Sequence, residues 1–332
     1  MEDPGLTDLA GSEIEVEVKA CGLSSFCHNQ AVEEALKKKL SLRLPMGLEI
    51  SGVVQRVGQD VSSLSVNDHV VGMLPLDSPY SGCSRAIILH EYHAARIPSS
   101  LSHELAAGSV GDCVRAYTAL YYLAHLQRDE TVLVLNAASP FGTMVLQLAI
   151  QWGASQVFCT VCDKDEQFFL EDVLKLSSVI VMENVQSGNI LQKKVLDQTA
   201  GLGIDIIVDS GVNMFRVEDG IQVNPQLPHK HDVISMLATG GRWVTSQANL
   251  QLDPPDSHLL HLKCASVCHL FEHAWLLSPS RLGCYQHILK DSMEKLCDGK
   301  LRVHIQEKVN LEEVPDAMKS LGERWGKVVI EL

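Results

Sequence analysis

Over Glu13 to Lys19, EIEVEVK, apolar and polar residues alternate strictly, so Ile14, Val16 and Val18 share one face of a half-buried β-strand. The short apolar runs at Val53 to Val57 and His69 to Met73, next to Gly52, Gly58 and Gly72, predict further strands, and Arg85 to His90 predicts another. Between them AVEEALKKKL, at Ala31 to Leu40, has the charge pattern of a solvated helix. After Ser102 the period changes. HELAAGSVGDCVRAYTALYYLAHL predicts mostly helix, Val132 to Leu135 a strand, Thr143 to Trp152 a helix and Gln156 to Val161 a strand. DEQFFLEDVLKL and NILQKKVLDQTA predict helices around a strand at Val179 to Val181, and strands follow at Ile204 to Asp209 and Arg242 to Thr245. Strands alternating with helices of this length predict βαβ units and a parallel sheet covered on both faces, with ligands at the strands' carboxyl ends. The closing stretch is mixed: a helix around Tyr285 to Cys297, strand-like LRVHIQEKV, helical LEEVPDAMKSL and a last strand in KVVIEL.

Composition narrows the classes. A chain of 332 residues with 46% hydrophobic residues suggests two domains, each able to bury a core. With no apolar run of about 18 residues and no charged-then-apolar leader, the expectation is no membrane insertion, no secretion and a cytoplasmic protein. Ten cysteines without metal-knuckle spacing are expected to be buried thiols, not disulfides. A net charge of −14 argues against nucleic acid, whose recognition draws on Lys and Arg at phosphates.

Candidate chemistry centres on LVLNAASPFGTMVLQLAIQWGA, Leu133 to Ala154, which has the outline of a dinucleotide-binding strand, turn and helix. In that fingerprint one glycine permits the tight turn, a second lets the backbone approach pyrophosphate, and a third packs helix on strand. Here only Gly142 is glycine, so the turn is either a weakened phosphate site or a structural junction with Ser as cap and Pro in the first helical turn.

The order of motifs VEVKACGLSS, PMGLEISGVVQRVGQDV, NDHVVGMLP, AAGSVGDCVRAYTAL, VLVLNAASPFG, GIDIIVDSGV, LATGGRWV and GKVVIEL resembles zinc-independent medium-chain reductases, namely zeta-crystallin-like quinone oxidoreductases and the enoyl reductase modules of polyketide synthases. The resemblance covers about residue 13 to the end. It implies an α/β protein: a GroES-like β domain formed by both chain ends (1–116 and 272–332) and an inserted Rossmann domain, a doubly wound parallel sheet (117–271). Zinc-dependent relatives place a metal-binding Cys where this chain has Ser24 and a Gly-His-Glu where it has Gly47, Leu48 and Glu49, so no catalytic zinc is expected. Quinone reductases often carry Asn and Asp in the segment that here reads Ser24 and Cys27, which leaves no assured acid or base.

The family's Ala-x-Gly-x-x-Gly lands on Ala137, Ser139 and Gly142. Ser139 adds a side chain where clearance matters, and Pro140 removes one N–H from the phosphate nest. Resemblance implies NADPH as cofactor, held by Ala137, Ser139, Phe141, Gly142, Thr160, Lys164, Gly240 and Gly241. In FCTVCDKDE the position that often holds a phosphate-reading Lys falls on Glu166, with Lys164 the available cation; a merely solvated charged loop is the other reading. Near the nicotinamide the candidates are Ser24 and Arg115. Arg115 would bind a phosphate or carbonyl oxygen, or pair with Asp112 three residues earlier. HLKCASVCHLFEH gathers His261, Cys264, Cys268, His269 and His273, which could suggest zinc. If Leu262 to Leu270 is the last Rossmann strand, however, Cys264 and Cys268 face one side and His269 the other.

These features point to an NADPH-dependent reductase moving hydride from nicotinamide to a quinone or enone in the cleft between domains. The alternative is a catalytically weak or inactive reductase fold used as a binding or scaffold subunit, and a synthase's enoyl reductase part is a third reading. Relatives join Rossmann sheets edge to edge, so a homodimer through Leu262 to Leu270 is expected. Only MEDPGLTDLAGS precedes EIEVEVK, where relatives have an opening hairpin, so a less stable β domain is also expected.

Overall fold

The computed structural model describes residues 9–24, 46–176, 178–183, 188–216, 223–224, 227–319, 321 and 325–332. Cys27 and the charged helix expected at Ala31 to Leu40 lie outside them. The chain divides into two compact units, Met1–Val114 with Glu272–Leu332, and Arg115–Phe271.

In chain order the first unit begins with strands β1 (Glu13–Leu23), β2 (Glu49–Val57), β3 (His69–Met73), β4 (Ala86–His90) and β5 (Ala94–Arg96), then helix α1 (His103–Tyr117), whose residues from Arg115 on belong to the second unit. The second holds β6 (Thr131–Val134), α2 (Pro140–Gln151), β7 (Gln156–Val161), α3 (Lys164–Phe168), β8 (Ile180–Glu183), α4 (Gly188–Gln198) and β9 (Ile204–Val208). It continues with α5 (Lys230–Met236), β10 (Leu237–Thr245), α6 (Pro254–Leu262) and β11 (Ser266–His269). The chain then returns to the first unit with α7 (Leu282–Cys297), β12 (Ile305–Val309), α8 (Val314–Lys319) and β13 (Lys327–Glu331).

The first unit's sheet runs β12-β13-β1-β2-β3-β5, with β4 also paired to β1. β1 continues past the expected Lys19 because Ala20, Cys21 and Leu23 are buried as well, and its second half pairs with β13 while its first half pairs with β4. A buried charge cluster ties the chain's two ends together there. Lys327 Nζ donates to Glu49 Oε1 and to Asp112 Oδ2, both at 2.9 Å. Burial works against the ammonium, but Asp112 and Glu49 hold its pKa above the ordinary value; burial pushes the Glu49 carboxyl up. Such a cluster persists only while each charge keeps its partner.

The second unit's sheet is parallel, in the order β11-β10-β9-β6-β7-β8. β6 is buried on both faces, as a central parallel strand must be, and Leu133, Phe158, Ile207 and Trp243 form part of one core. Strand order reverses between β6 and β9, and sheets of this kind place their ligand crevice beyond the carboxyl ends at such a reversal.

Several sequence expectations need correction. The stretch Leu262 to Leu270 is not one strand. Pro254 and Pro255 start α6, Asp256 Oδ2 accepts the Asp253 N–H at 3.1 Å, and the helix runs through Leu262. Cys264 then turns at φ 50°, leaving only Ser266–His269 as strand. Helix α5 was not legible, and it runs directly into a β10 longer than Arg242 to Thr245. The two long helices expected at 103–126 and 165–176 each end early, passing into wider π turns at Thr118–Leu123 and Phe169–Val173. Among the described residues, no helix is long and apolar enough to cross a membrane.

Candidate functional site

The turn after β6 lies at the carboxyl end of the sheet and is pinned from beneath. Asn136 takes φ 58°, a conformation that Asn tolerates better than other side chains. Its N–H donates to Thr160 Oγ1 at 3.0 Å, and the Ala137 N–H donates to the Thr160 carbonyl at 3.2 Å. Thr160, buried on β7, therefore supports the turn from below. Gly142 has no alternative: a Cβ there would stand 2.7 Å from the carbonyl oxygens of both Ala137 and Asn136. Its place in the fingerprint, closest packing of helix on strand, is thus occupied as the motif requires.

The face that the fingerprint turns toward phosphate departs from the motif. Ser139 caps α2 with its hydroxyl, donating to the Asn136 carbonyl at 2.8 Å and accepting the Gly142 N–H at 3.1 Å. Pro140 contributes no N–H. Two donors that would cradle a phosphate are therefore satisfied within the chain or absent, while the Phe141 N–H has no partner among the described residues.

Around the turn stands a group that the sequence only half disclosed. The Arg115 guanidinium carbon lies 4.2 Å from the Phe141 ring centroid, and Nη2 donates to Ser246 Oγ at 2.6 Å. Ser246 Oγ in turn donates to the Asp209 carbonyl at 3.3 Å. Asp112, the other partner that helix spacing offered Arg115, binds Lys327. Asp209 follows β9 directly and is fully buried; its carboxylate accepts from Trp243 Nε1 and from Thr245 Oγ1, the latter at 2.9 Å. Burial pushes its pKa up to about 6, against the pull of those two donors. Asn136, Asp209, Trp243 and Ser246 were not among the predicted site residues. Asn136 had one visible signal, an αL-tolerant residue at the end of an apolar strand; the others are united only by the parallel register of β9 and β10.

The loop after β7 is largely committed to structure. Asp163 Oδ1 caps α3 by accepting the N–H groups of Asp165 and Glu166, both at 2.9 Å. Glu166 turns inward, where Oε2 accepts the Cys162 N–H at 2.6 Å and burial pushes its carboxyl pKa up. Lys164 is exposed in the first turn of α3. Gly240 and Gly241 are not brought to this crevice. They sit four or five residues before the carboxyl end of β10, about 13 to 16 Å along a strand, where Gly240 takes φ 75° and its N–H donates to the Lys263 carbonyl at 2.7 Å. Ser24 follows β1 in the first unit and is half-buried. The His and Cys residues of HLKCASVCHLFEH are dispersed: His261 on α6, Cys264 in the turn, Cys268 and His269 on β11, and His273 in the first unit's segment. Among the described residues, no three His, Cys, Asp or Glu side chains are grouped to hold a metal ion.

No protein-family model matches the chain. A parallel sheet reversing between its first and fourth strands, inserted in a β unit built from both chain ends, is nevertheless the architecture of medium-chain dehydrogenases and reductases. The CurK enoyl reductase superposes with a TM-score of 0.80 at 21% identity, over 99% of this chain and 94% of that one, which shows the shared fold. Mouse (Mus musculus) quinone oxidoreductase-like protein 1 is 41% identical over 307 residues, 92% of this chain and 86% of the relative. Quinone oxidoreductase-like protein 2 of Bos taurus is 26% identical, over 96% of this chain and 85% of its own length. The chain belongs to the quinone oxidoreductase-like protein 1 family of the medium-chain superfamily.

Proposed function

We propose that the protein is a zinc-independent oxidoreductase that uses NADPH to reduce a quinone or an enone. The observation that carries this reading is the turn from Asn136 to Gly142, set at the strand-order reversal and packed as a dinucleotide site requires. The relatives' names supply the reaction class. In this reading the Phe141 N–H meets the pyrophosphate at the helix start and Arg115 supplies the positive charge beside it. When bound, the cofactor supplies the hydride, and the chain orients it and fixes the surrounding charge. Lys164 is the cation for the 2′-phosphate, while Glu166 is turned inward onto the Cys162 N–H. We further propose Ser24 as a polar group toward the substrate, and a cytoplasmic location.

A second reading, a reductase fold kept as a binding or scaffold subunit, is favoured by the cap that Ser139 places on the Gly142 N–H. Calorimetry with NADPH and NADH separates the two. The enzyme reading expects micromolar NADPH binding, weakened several-fold in Lys164→Ala with NADH binding unchanged. Absence of binding by either nucleotide would leave the scaffold reading standing.

A further inference from the structure

Cys21 and Cys83, both buried, lie in the first unit, on β1 and in the turn before β4. β4 runs antiparallel to β1 with Glu17 opposite Ala86, and the Val18 N–H donates to the Arg85 carbonyl at 2.9 Å. Followed backwards, that pairing brings the turn to the level of Cys21. The two sulfurs converge on one point. A Cβ at Gly47 would stand 2.6 Å from Cys21 Sγ and 2.9 Å from Cys83 Sγ, and Gly47 itself takes φ 66°, so glycine alone leaves the pair its space.

We propose that Cys21 and Cys83 form a reversible, peroxide-responsive disulfide that ties the end of β1 to the turn before β4. Their chemistry differs from that of the other buried thiols. Burial pushes Cys113 and Cys159 up to about 12, whereas the hydrogen bond from Cys21 holds Cys83 below its ordinary value. Cys83, in the turn flanked by half-exposed Ser81 and Ser84, is the nucleophile, and Cys21, fully buried on β1, the resolving thiol. The Cys83 thiolate attacks one oxygen of hydrogen peroxide and the O–O bond breaks. Hydroxide leaves, is protonated to water, and Cys83 becomes the sulfenic acid. Cys21 sulfur, losing its proton, attacks that sulfenic sulfur; the S–S bond forms and the second oxygen leaves as water. The two sulfurs lose two electrons and the peroxide gains them; a dithiol reductant reverses the change. Ser81 and Ser84, on either side of Cys83, are half-exposed, so the turn is a thin cover over the pair. Because Gly22, Leu23 and Ser24 follow Cys21 directly, the bridge would hold the segment leading to Ser24.

The test is peptide mapping of the full chain after titration with hydrogen peroxide and quenching with N-ethylmaleimide. The expected product is a bridged Cys21–Cys83 peptide, two hydrogens lighter, that dithiothreitol reopens and that Cys21→Ser and Cys83→Ser both lack. In Cys21→Ser, Cys83 is expected to be trapped as the sulfenic acid by dimedone. Absence of the bridged peptide at peroxide levels that fully oxidise exposed Cys264 and Cys297 would overturn the proposal, as would unreactive Cys83 in the folded Cys21→Ser protein.

Discussion

Ser139 takes up, with one hydroxyl, the N–H that a phosphate would use. Replacing it with glycine removes a helix cap at a cost of a few tenths of a kcal/mol and frees the Gly142 N–H. A hydrogen bond to a charged group is worth about 1.5 to 3 kcal/mol, so Ser139→Gly should tighten NADPH about ten- to a hundredfold. Equal calorimetric affinities for the two forms would refute the assigned role. Asp209 makes a different prediction. Its pKa is about 6 in the folded chain against 3.8 as the ordinary value, so between those pH values the folded state binds more protons than the unfolded one. Its contribution to stability is therefore lost as pH rises from about 4 to 6. The stability of the wild type relative to Asp209→Asn should fall over that interval by at most about 3 kcal/mol. Urea unfolding at several pH values measures it, and a flat difference would show that Asp209 does not titrate this way.

Among the elements, β11 is the exposed end of the parallel sheet. It pairs only with β10 among the described residues, and its side chains are partly exposed throughout. An open edge strand of this kind offers unpaired N–H and C=O groups to a second sheet. The expectation of a homodimer is accordingly carried by Ser266–His269 alone, since Leu262 ends a helix. Light scattering at micromolar concentration should give twice the chain mass, falling to the single mass in Ser266→Lys. A wild type already monomeric would dispose of this assembly.

At the scale of the whole molecule, the first unit exists because the chain's end returns to its beginning: β13 pairs with β1, and Lys327 sits between Glu49 and Asp112. Removing the cation leaves buried Glu49 and partly buried Asp112 without it. Lys327→Met should cost about 3 to 5 kcal/mol, with part recovered when Glu49→Gln is added. Chemical unfolding that shows less than about 1 kcal/mol of loss would mean that the cluster does not hold the ends together.

Much of this architecture was written in local pattern. Strict alternation at Ile14, Val16 and Val18, the change of period after Ser102, and the small residues from Ala137 to Gly142 marked a β unit, a parallel sheet and the turn after its first strand, because burial on one face or two leaves a period in the sequence itself. What the period could not carry was contact between distant segments. Gly240 and Gly241 looked like cofactor glycines until the register of β10 placed them toward its amino end. Glu166, at the position where relatives often carry a phosphate-reading Lys, is found turned inward onto Cys162, and Asp209 drew no notice until Trp243 and Thr245 were seen to donate to it. The meeting of Cys21, Gly47 and Cys83 is of the same kind. Hydrophobic spacing is set within a few residues of chain, whereas hydrogen-bond satisfaction and shared space are settled only when strands far apart in sequence come to lie side by side.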